Sequence, residues 1–154
     1  MHIVLVEPEI PQNTGNISRT CVLSNATLHL IKPLGFSLED KYLKRAGLDY
    51  WKYLKLKIYD KWEDFYQNYS KNRFFFFSVK GKVIYTDIAY EPDDVLVFGS
   101  ETKGLNECFF SNYNSNQFIR LPMNAKIERS LNLSNTVAVA VFEAMRQRGF
   151  PGMK

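Results

Sequence analysis

Apolar positions along the chain fall into short dense runs, separated by longer stretches in which hydrophobic residues recur at helical spacing. Runs at residues 3–6, 28–31, 74–79, 95–98 and 118–121 are rich in Val, Ile, Leu and Phe, each bounded by polar or turn residues. Their length and their β-branched and aromatic content predict buried strands. Between them, residues 13–25, 39–46, 61–69 and 130–148 have helical character. Strands and helices that alternate in this way predict an α/β fold, a mostly parallel sheet with flanking helices. The last helix is the best defined. Val137, Ala138, Val141, Ala144 and Met145 share one face, Ser130 or Asn132 can cap it, and Gly149 followed by Pro151 stops it. Phe74-Phe75-Phe76-Phe77 reads as a strand buried on both faces rather than a binding patch. With no internal repeat and short connections, residues 1–154 are expected to form one domain.

Composition narrows the class. At 45% hydrophobic and 23% charged residues, with 15% aromatics, the chain is neither disordered nor low in complexity. Cys21 and Cys108 stand far apart with no CxxC, which excludes a disulfide framework or Cys-rich zinc site and predicts two reduced thiols. No stretch reaches the length of a membrane span, and no basic segment precedes the first apolar run, so a cytoplasmic protein without a membrane partner is expected. His2 and His29 are the only histidines and no HExxH occurs, so no protein-held metal is expected.

The net charge of +4 is too mild to identify a nucleic-acid binder, so its distribution decides. The excess lies in Lys41, Lys44, Arg45, Lys52, Lys55, Lys57 and Lys61, set against Asp49 and Asp60 and interleaved with Tyr42, Tyr50, Trp51, Tyr53 and Tyr59. Basic side chains neutralise phosphates and aromatic faces stack on unpaired bases, which suits single-stranded RNA. A solvated face with its aromatics turned into the core gives the same pattern.

Three polar segments carry candidate chemistry. Gly99-Ser100-Glu101-Thr102-Lys103-Gly104 has glycines at P-loop spacing, but Leu105-Asn106 replaces the Lys and Ser/Thr that would hold phosphate and magnesium. No GxGxxG follows the first strand, so the ordinary dinucleotide site is absent too. There remains an acid, Glu101, between two glycines at the carboxyl edge of a parallel sheet, either a ligand loop or a plain strand-to-helix turn. At the first strand-to-helix junction, Pro8 and Pro11 stiffen the chain. Asn13, Thr14 or Asn16 can cap a helix carrying Arg19 about a turn and a half in. That makes an anion site suited to phosphate, or a capped helix with a solvated Arg. Finally, Ser130, Asn132, Ser134 and Asn135 give four short polar side chains around one helix start. They exceed what capping needs and suggest hydrogen bonds to a polar ligand, although Ser and Asn are also common in cap boxes.

In this order and spacing, these segments resemble the motifs of the SPOUT class of RNA methyltransferases, the TrmH/SpoU superfamily. Within it they resemble the small tRNA (cytidine/uridine-2'-O-)-methyltransferase family, TrmL. The resemblance rests on Ile3-Val4-Leu5 with Glu7-Pro8-Glu9-Ile10-Pro11-Gln12-Asn13-Thr14-Gly15-Asn16-Ile17, on Arg45-Ala46-Gly47-Leu48-Asp49-Tyr50, and on Phe98-Gly99-Ser100-Glu101-Thr102-Lys103-Gly104-Leu105. It continues through Ile119-Arg120-Leu121-Pro122-Met123 to Ser130-Leu131-Asn132-Leu133-Ser134-Asn135. It implies a C-terminal deep trefoil knot and a homodimer formed by the first and last helices. The implied cofactor is S-adenosylmethionine, held by backbone around Phe77, Gly99, Leu121 and Ser130, with Leu131 against the adenine and Glu101 and Gly104 in the same pocket.

The implied reaction is methylation of the ribose 2'-hydroxyl of the wobble nucleotide of tRNA, cytidine or modified uridine, with S-adenosylhomocysteine as product. Members of the class assign the proton-accepting part to an Arg at the position of Arg19. A guanidinium with a pKa above ~12 is a poor base. The expectation is therefore that Arg19 binds the target phosphate and stabilises the developing alkoxide, while the proton leaves to phosphate or water. Asn13 would orient Arg19, Glu101 and Asn132 would organise the pocket, and Lys44, Arg45 and Lys52 would bind RNA. The chain departs from the family at Phe142-Glu143-Ala144-Met145 in place of Tyr-Glu-Ala-Trp, at Ser100 in place of Pro, and in a stretch 124–128 one residue longer. Two alternatives remain. A ribosomal RNA 2'-O-methyltransferase of this fold usually carries an added N-terminal domain, which is not expected here because the first motif begins by Asn13. A non-catalytic RNA-binding protein need not keep Arg19, Glu101, Ser130 and Asn132 together.

Overall fold

Every strand pairing is parallel in the computed structural model, which describes residues 1–39, 50–127 and 129–154. The strands are β1 (His2–Val6), β2 (Thr27–Ile31), β3 (Lys55–Tyr59), β4 (Phe74–Phe77), β5 (Val83–Ile84), β6 (Val95–Phe98) and β7 (Phe118–Arg120). They form one sheet in the order β3-β2-β1-β6-β4-β7-β5. The helices are α1 (Pro11–Leu23), α2 (Trp62–Tyr69), α3 (Glu107–Asn112) and α4 (Leu133–Gln147). All five predicted strands and three of the four predicted helices are found, and the fourth, 39–46, lies outside the described residues except for Glu39.

Three elements escaped the hydrophobic pattern. In β3, Lys55 and Lys57 interrupt the apolar residues because this strand closes one edge of the sheet; lysines there also discourage a further chain from pairing. β5 has two residues and α3 six, too few for a periodic signal. α3 depends instead on its cap, Asn106, whose side-chain oxygen accepts from Cys108 N at 3.1 Å.

The central strands are apolar on both faces because each face meets a layer of helices. Ile3, Leu5, Leu28, Leu30, Leu96 and Phe98 pack with Ile17 and Cys21 of α1 and with Val137, Ala140, Val141, Ala144 and Met145 of α4. On the other face, Val4, Val6, Phe74, Phe76, Val95 and Val97 meet Phe65 of α2 and Phe109 of α3. The phenylalanine run divides between them, with Phe74 and Phe76 on the second face and Phe77 on the first. In α4, Ala140 is on the buried face, whereas Ala138, expected there, is only half-buried.

β4 and β5 lie on either side of β7, and only residues 78–82 join them. A parallel crossover ordinarily takes about a dozen residues because the chain must return to the start of the next strand. Here β5 begins at the level where β4 ends, since Phe77 and Val83 both pair with Ile119, so a five-residue strap across β7 suffices. Ser78 N and Lys82 N donate to Ile119 O and Phe118 O at 2.9 and 3.1 Å, and a Cβ on Gly81 would lie 2.5 Å from the Ile119 carbonyl carbon. Only glycine permits so close a passage.

One buried polar pair is invisible in the hydrophobic pattern. His29 is fully buried in β2, its Nε2 3.0 Å from His2 Nδ1 and its Nδ1 3.3 Å from the Tyr59 hydroxyl. Burial holds both imidazoles neutral, lowering His29 to about 3 and His2 to about 4. The unfolded chain takes up protons near pH 6.5 that the folded chain refuses, so this contribution is complete above that pH and is lost as pH falls toward the folded values. At pH 4.5 the cost from His29 is about 2–3 kcal/mol, with less from the part-exposed His2. Thermal melts are expected to be flat between pH 8 and 7 and to decline below pH 6, the decline being smaller in His29→Gln. An unchanged melting temperature from pH 7 to 4.5 would contradict this.

Candidate active site

A cleft of about 690 Å³ opens where β1, β4, β6 and β7 end, at the carboxyl edge where parallel sheets bind ligands. Its wall after β6 is a tight turn, in which Gly104 N donates to Ser100 O at 2.9 Å and Lys103 N to Ser100 Oγ at 3.3 Å. The two glycines serve different ends. A Cβ on Gly99 would collide with the backbone of Gly104, while Gly104 itself has φ +66° and open space where its Cβ would stand. Phe77, Gly99, Glu101, Gly104, Leu121, Ser130 and Leu131, expected in one pocket, all line this cleft, together with Asn13 and Asn132. Ile10, Asn106, Phe110 and Met123 line it as well and were not anticipated.

Three of the four expected catalytic residues form one hydrogen-bonded chain. The Glu101 carboxylate accepts from Glu9 N at 2.7 Å, Ile10 N at 3.2 Å and Asn13 Nδ2 at 3.0 Å. Asn13 Oδ1 in turn accepts from Asn132 Nδ2 at 3.0 Å, and Asn132 Oδ1 accepts from Ser134 N at 2.9 Å and Ser134 Oγ at 2.7 Å. Asn132 is thus the N-cap of α4, a position for which Ser130 had also been a candidate. The capping of α1 differs from expectation. Its N-cap is Ile10, Pro11 occupies the first turn, and Asn13 and Thr14 lie inside the helix. Glu101, from the β6 turn, supplies the acceptor oxygens, and its negative charge faces the positive end of the helix. Glu9 answers in the opposite direction, accepting from Thr102 N at 3.0 Å and Thr102 Oγ1 at 2.8 Å. Sequence reading missed this pair because its partners are 93 residues apart and neither completes a motif alone.

Arg19 stands apart from this group. It is exposed on α1, outside the cleft, with its guanidinium 4.9 Å from the centre of the Tyr50 ring. At about 1.5 Å per residue it lies about 9 Å along the helix from Asn13, more than two turns into α1. Asn13 turns its side chain to Glu101 and Asn132 rather than along the helix toward Arg19. Of the expected RNA-binding residues, Lys44 and Arg45 fall outside the described residues, as does the motif 45–49. Lys52 is exposed, with its ammonium 4.9 Å from the Tyr53 ring. The rest of the basic stretch divides. Tyr53 is exposed, whereas Tyr59 turns inward to His29, and Lys57 donates to the Tyr69 hydroxyl at 2.9 Å. Among the described residues, no helix is long and apolar enough to cross a membrane.

The sequence profile of the SpoU rRNA Methylase family matches residues 1–142. The chain belongs to this family. One relative, the tRNA (cytidine(34)-2'-O)-methyltransferase of Burkholderia pseudomallei (strain 1106a), is 49% identical over 153 residues, spanning 98% of this chain and 97% of that protein. A solved structure described as "Structural insights into the 2-OH methylation of C/U34 on tRNA" superposes with a TM-score of 0.90 at 41% identity, covering 96% of this chain and 95% of that one. The SpoU methyltransferase AviRb from Streptomyces viridochromogenes, solved in complex with the cofactor AdoMet, shares the fold at a TM-score of 0.83 and 20% identity, covering 96% of this chain and 60% of that one.

Proposed function

We propose that this SpoU-family chain, acting as one domain over residues 1–154, methylates the ribose 2'-hydroxyl of the wobble cytidine or uridine of tRNA, using S-adenosylmethionine. The observation that carries this reading is the match to a tRNA (cytidine(34)-2'-O)-methyltransferase over nearly the whole of both chains. The cleft fits such a cofactor by its chemistry. Phe77, Leu121, Leu131 and Met123 provide apolar surface for a purine, the ends of β4, β6 and β7 provide backbone donors and acceptors, and Gly104 leaves an open cradle. When bound, S-adenosylmethionine supplies a sulfonium methyl group open to in-line attack by an oxygen nucleophile.

The protein's own part is placement and charge. Glu101, Asn13 and Asn132 fix the starts of α1 and α4 to the cleft wall, so that both helices hold their first turns at the reacting edge. Arg19 is the cation for the target phosphate and the developing alkoxide, and the proton passes to phosphate or water. Since Arg19 lies outside its own cleft, it acts on the cleft of a second copy. Leu23, 54% exposed, is four residues on and shares its helix face, and Val139 and Phe142 of α4 are also exposed. A homodimer joined through the α1 and α4 faces would cover these apolar residues and place Arg19 in the interface. The strap of residues 78–82 across β7 supports the trefoil knot as the frame of the cofactor cleft. With tRNA as substrate, the site of action is the cytoplasm.

Transfer of labelled methyl groups is expected into tRNA and not into ribosomal RNA. Label entering ribosomal RNA alone would overturn the choice of substrate. Reversing Lys44, Arg45 and Lys52 to Glu is expected to weaken tRNA binding by about tenfold and to flatten its salt dependence by about one unit of slope for each phosphate no longer neutralised. Cofactor affinity should be spared. Unchanged tRNA affinity, read by filter binding, would assign the stretch to plain solvent exposure.

A further inference from the structure

We propose that Glu9 is a positioning residue that holds the Gly99–Gly104 turn in its ligand-accepting shape, an inference that rests on reading the cleft as the cofactor site. Glu9 and the turn exchange hydrogen bonds in both directions. Glu9 N donates to Glu101 Oε2, while the Glu9 carboxylate takes Thr102 N at 3.0 Å and Thr102 Oγ1 at 2.8 Å. On its other side, Glu9 is fixed by the connection after β2. Gly35 N donates to Pro8 O at 2.9 Å, and a Cβ on Gly35 would lie 2.7 Å from both Glu9 Cα and Glu9 O. The β1–α1 junction is therefore backed by the 33–36 segment, and Glu9 passes that rigidity to the wall of the cleft. Without the carboxylate, Thr102 is deprived of its acceptor and the Thr102 side of the turn keeps only the internal bonds from Gly104 N and Lys103 N to Ser100. Glu101 would still cap α1, so helix and cleft wall would remain joined from one side only.

The test is a double-mutant cycle read by calorimetric binding of S-adenosylhomocysteine and by hydrogen exchange at the Thr102 amide. Glu9→Ala is expected to weaken binding by about fivefold to tenfold, because the hydrogen bonds it removes are partly exposed. Exchange at Thr102 should speed up while the melting temperature changes little. Thr102→Val should weaken binding less, and should add nothing further on the Glu9→Ala background. Glu9→Gln keeps an acceptor oxygen of the same reach and should restore binding to within about threefold of wild type. Wild-type affinity in Glu9→Ala, or additive effects in the double variant, would overturn the proposal. Glu9→Gln with intact binding but no methyl transfer would also overturn it, by placing the carboxylate in the chemistry. If Glu9→Ala fails to fold, Thr102→Val decides alone, wild-type affinity overturning the clamp. Absence of S-adenosylhomocysteine binding by the wild type would fell the cofactor reading instead, and Thr102 exchange in Glu9→Gln and Glu9→Ala would still decide the clamp.

Discussion

Arg19→Ala is expected to lower kcat for methyl transfer by about 10²–10³-fold while leaving S-adenosylhomocysteine affinity unchanged. The two halves of this expectation have separate sources. Affinity is spared because Arg19 lies outside the cleft of its own chain, exposed on α1 beside Tyr50, and the groups assigned to it are the target phosphate and alkoxide rather than the cofactor. Turnover falls because a fixed cation placed where an alkoxide develops stabilises the transition state far more than the ground state. Arg19→Lys is expected to recover little, since an ammonium cannot reproduce the forked contact with a phosphate. A pH–rate profile of Arg19→Lys with full activity would contradict the assignment.

The same variant tests whether Arg19 serves its own cleft or that of a second copy. Co-expressed with a cleft-defective chain, Arg19→Ala can form mixed dimers in which an intact cleft meets an intact Arg19. Random assortment into two-fold dimers then restores about a quarter of wild-type activity. Activity no higher than that of either variant alone would place Arg19 in the site of its own chain.

The cleft-defective chain follows from the second large effect. Gly99→Ala is expected to lower S-adenosylhomocysteine affinity by about a hundredfold or more and to cost about 1–3 kcal/mol of stability. The added methyl group has nowhere to go. It would collide with the Gly104 carbonyl carbon, and Ser100 and Gly104 are bridged to one another just beyond. Backbone cannot rotate aside as a flexible side chain can, so the turn must open, and it forms one wall of the cleft. Gly104→Ala is the informative partner. Its Cβ meets nothing within 4 Å, so its penalty comes from φ +66° and should be the smaller of the two. Equal binding by wild type and Gly99→Ala, measured by calorimetry, would mean that the cofactor sits elsewhere.

How much of this could be read from the residues depends on the range of the interaction concerned. The Phe74–Phe77 run and the apolar face of α4 declare themselves because burial leaves a local, periodic mark. The glycines around Glu101 are legible for a similar reason, since a tight turn restricts residue type within a few positions. β3 is not, because this edge strand carries Lys55 and Lys57 and so reads as a charged stretch. Nor is the true cap of α1. Asn13, Thr14 and Asn16 all satisfy the local rule, and the acceptor comes instead from Glu101, 91 residues from Ile10. The Glu9–Thr102 exchange and the His2–His29 pair are hidden for the same reason, being contacts between strands and loops that only the sheet order brings together. Arg19 is the instructive middle case. Its helix is legible, but its distance from the cleft becomes visible only once α1 has been laid across the sheet.

The central claim is a methyl group on one oxygen of one nucleotide, so the most direct measurement locates that group. Purified protein would be incubated with labelled S-adenosylmethionine and bulk tRNA lacking its own wobble 2'-O-methylation, followed by nucleoside mass spectrometry and mapping of the label along the tRNA. The predicted result is 2'-O-methylcytidine or a 2'-O-methylated uridine at the wobble position, formed about 10²–10³-fold more slowly with Arg19→Ala. A methylated base, a label at any other position, or no transfer to tRNA by protein that binds S-adenosylhomocysteine would contradict it.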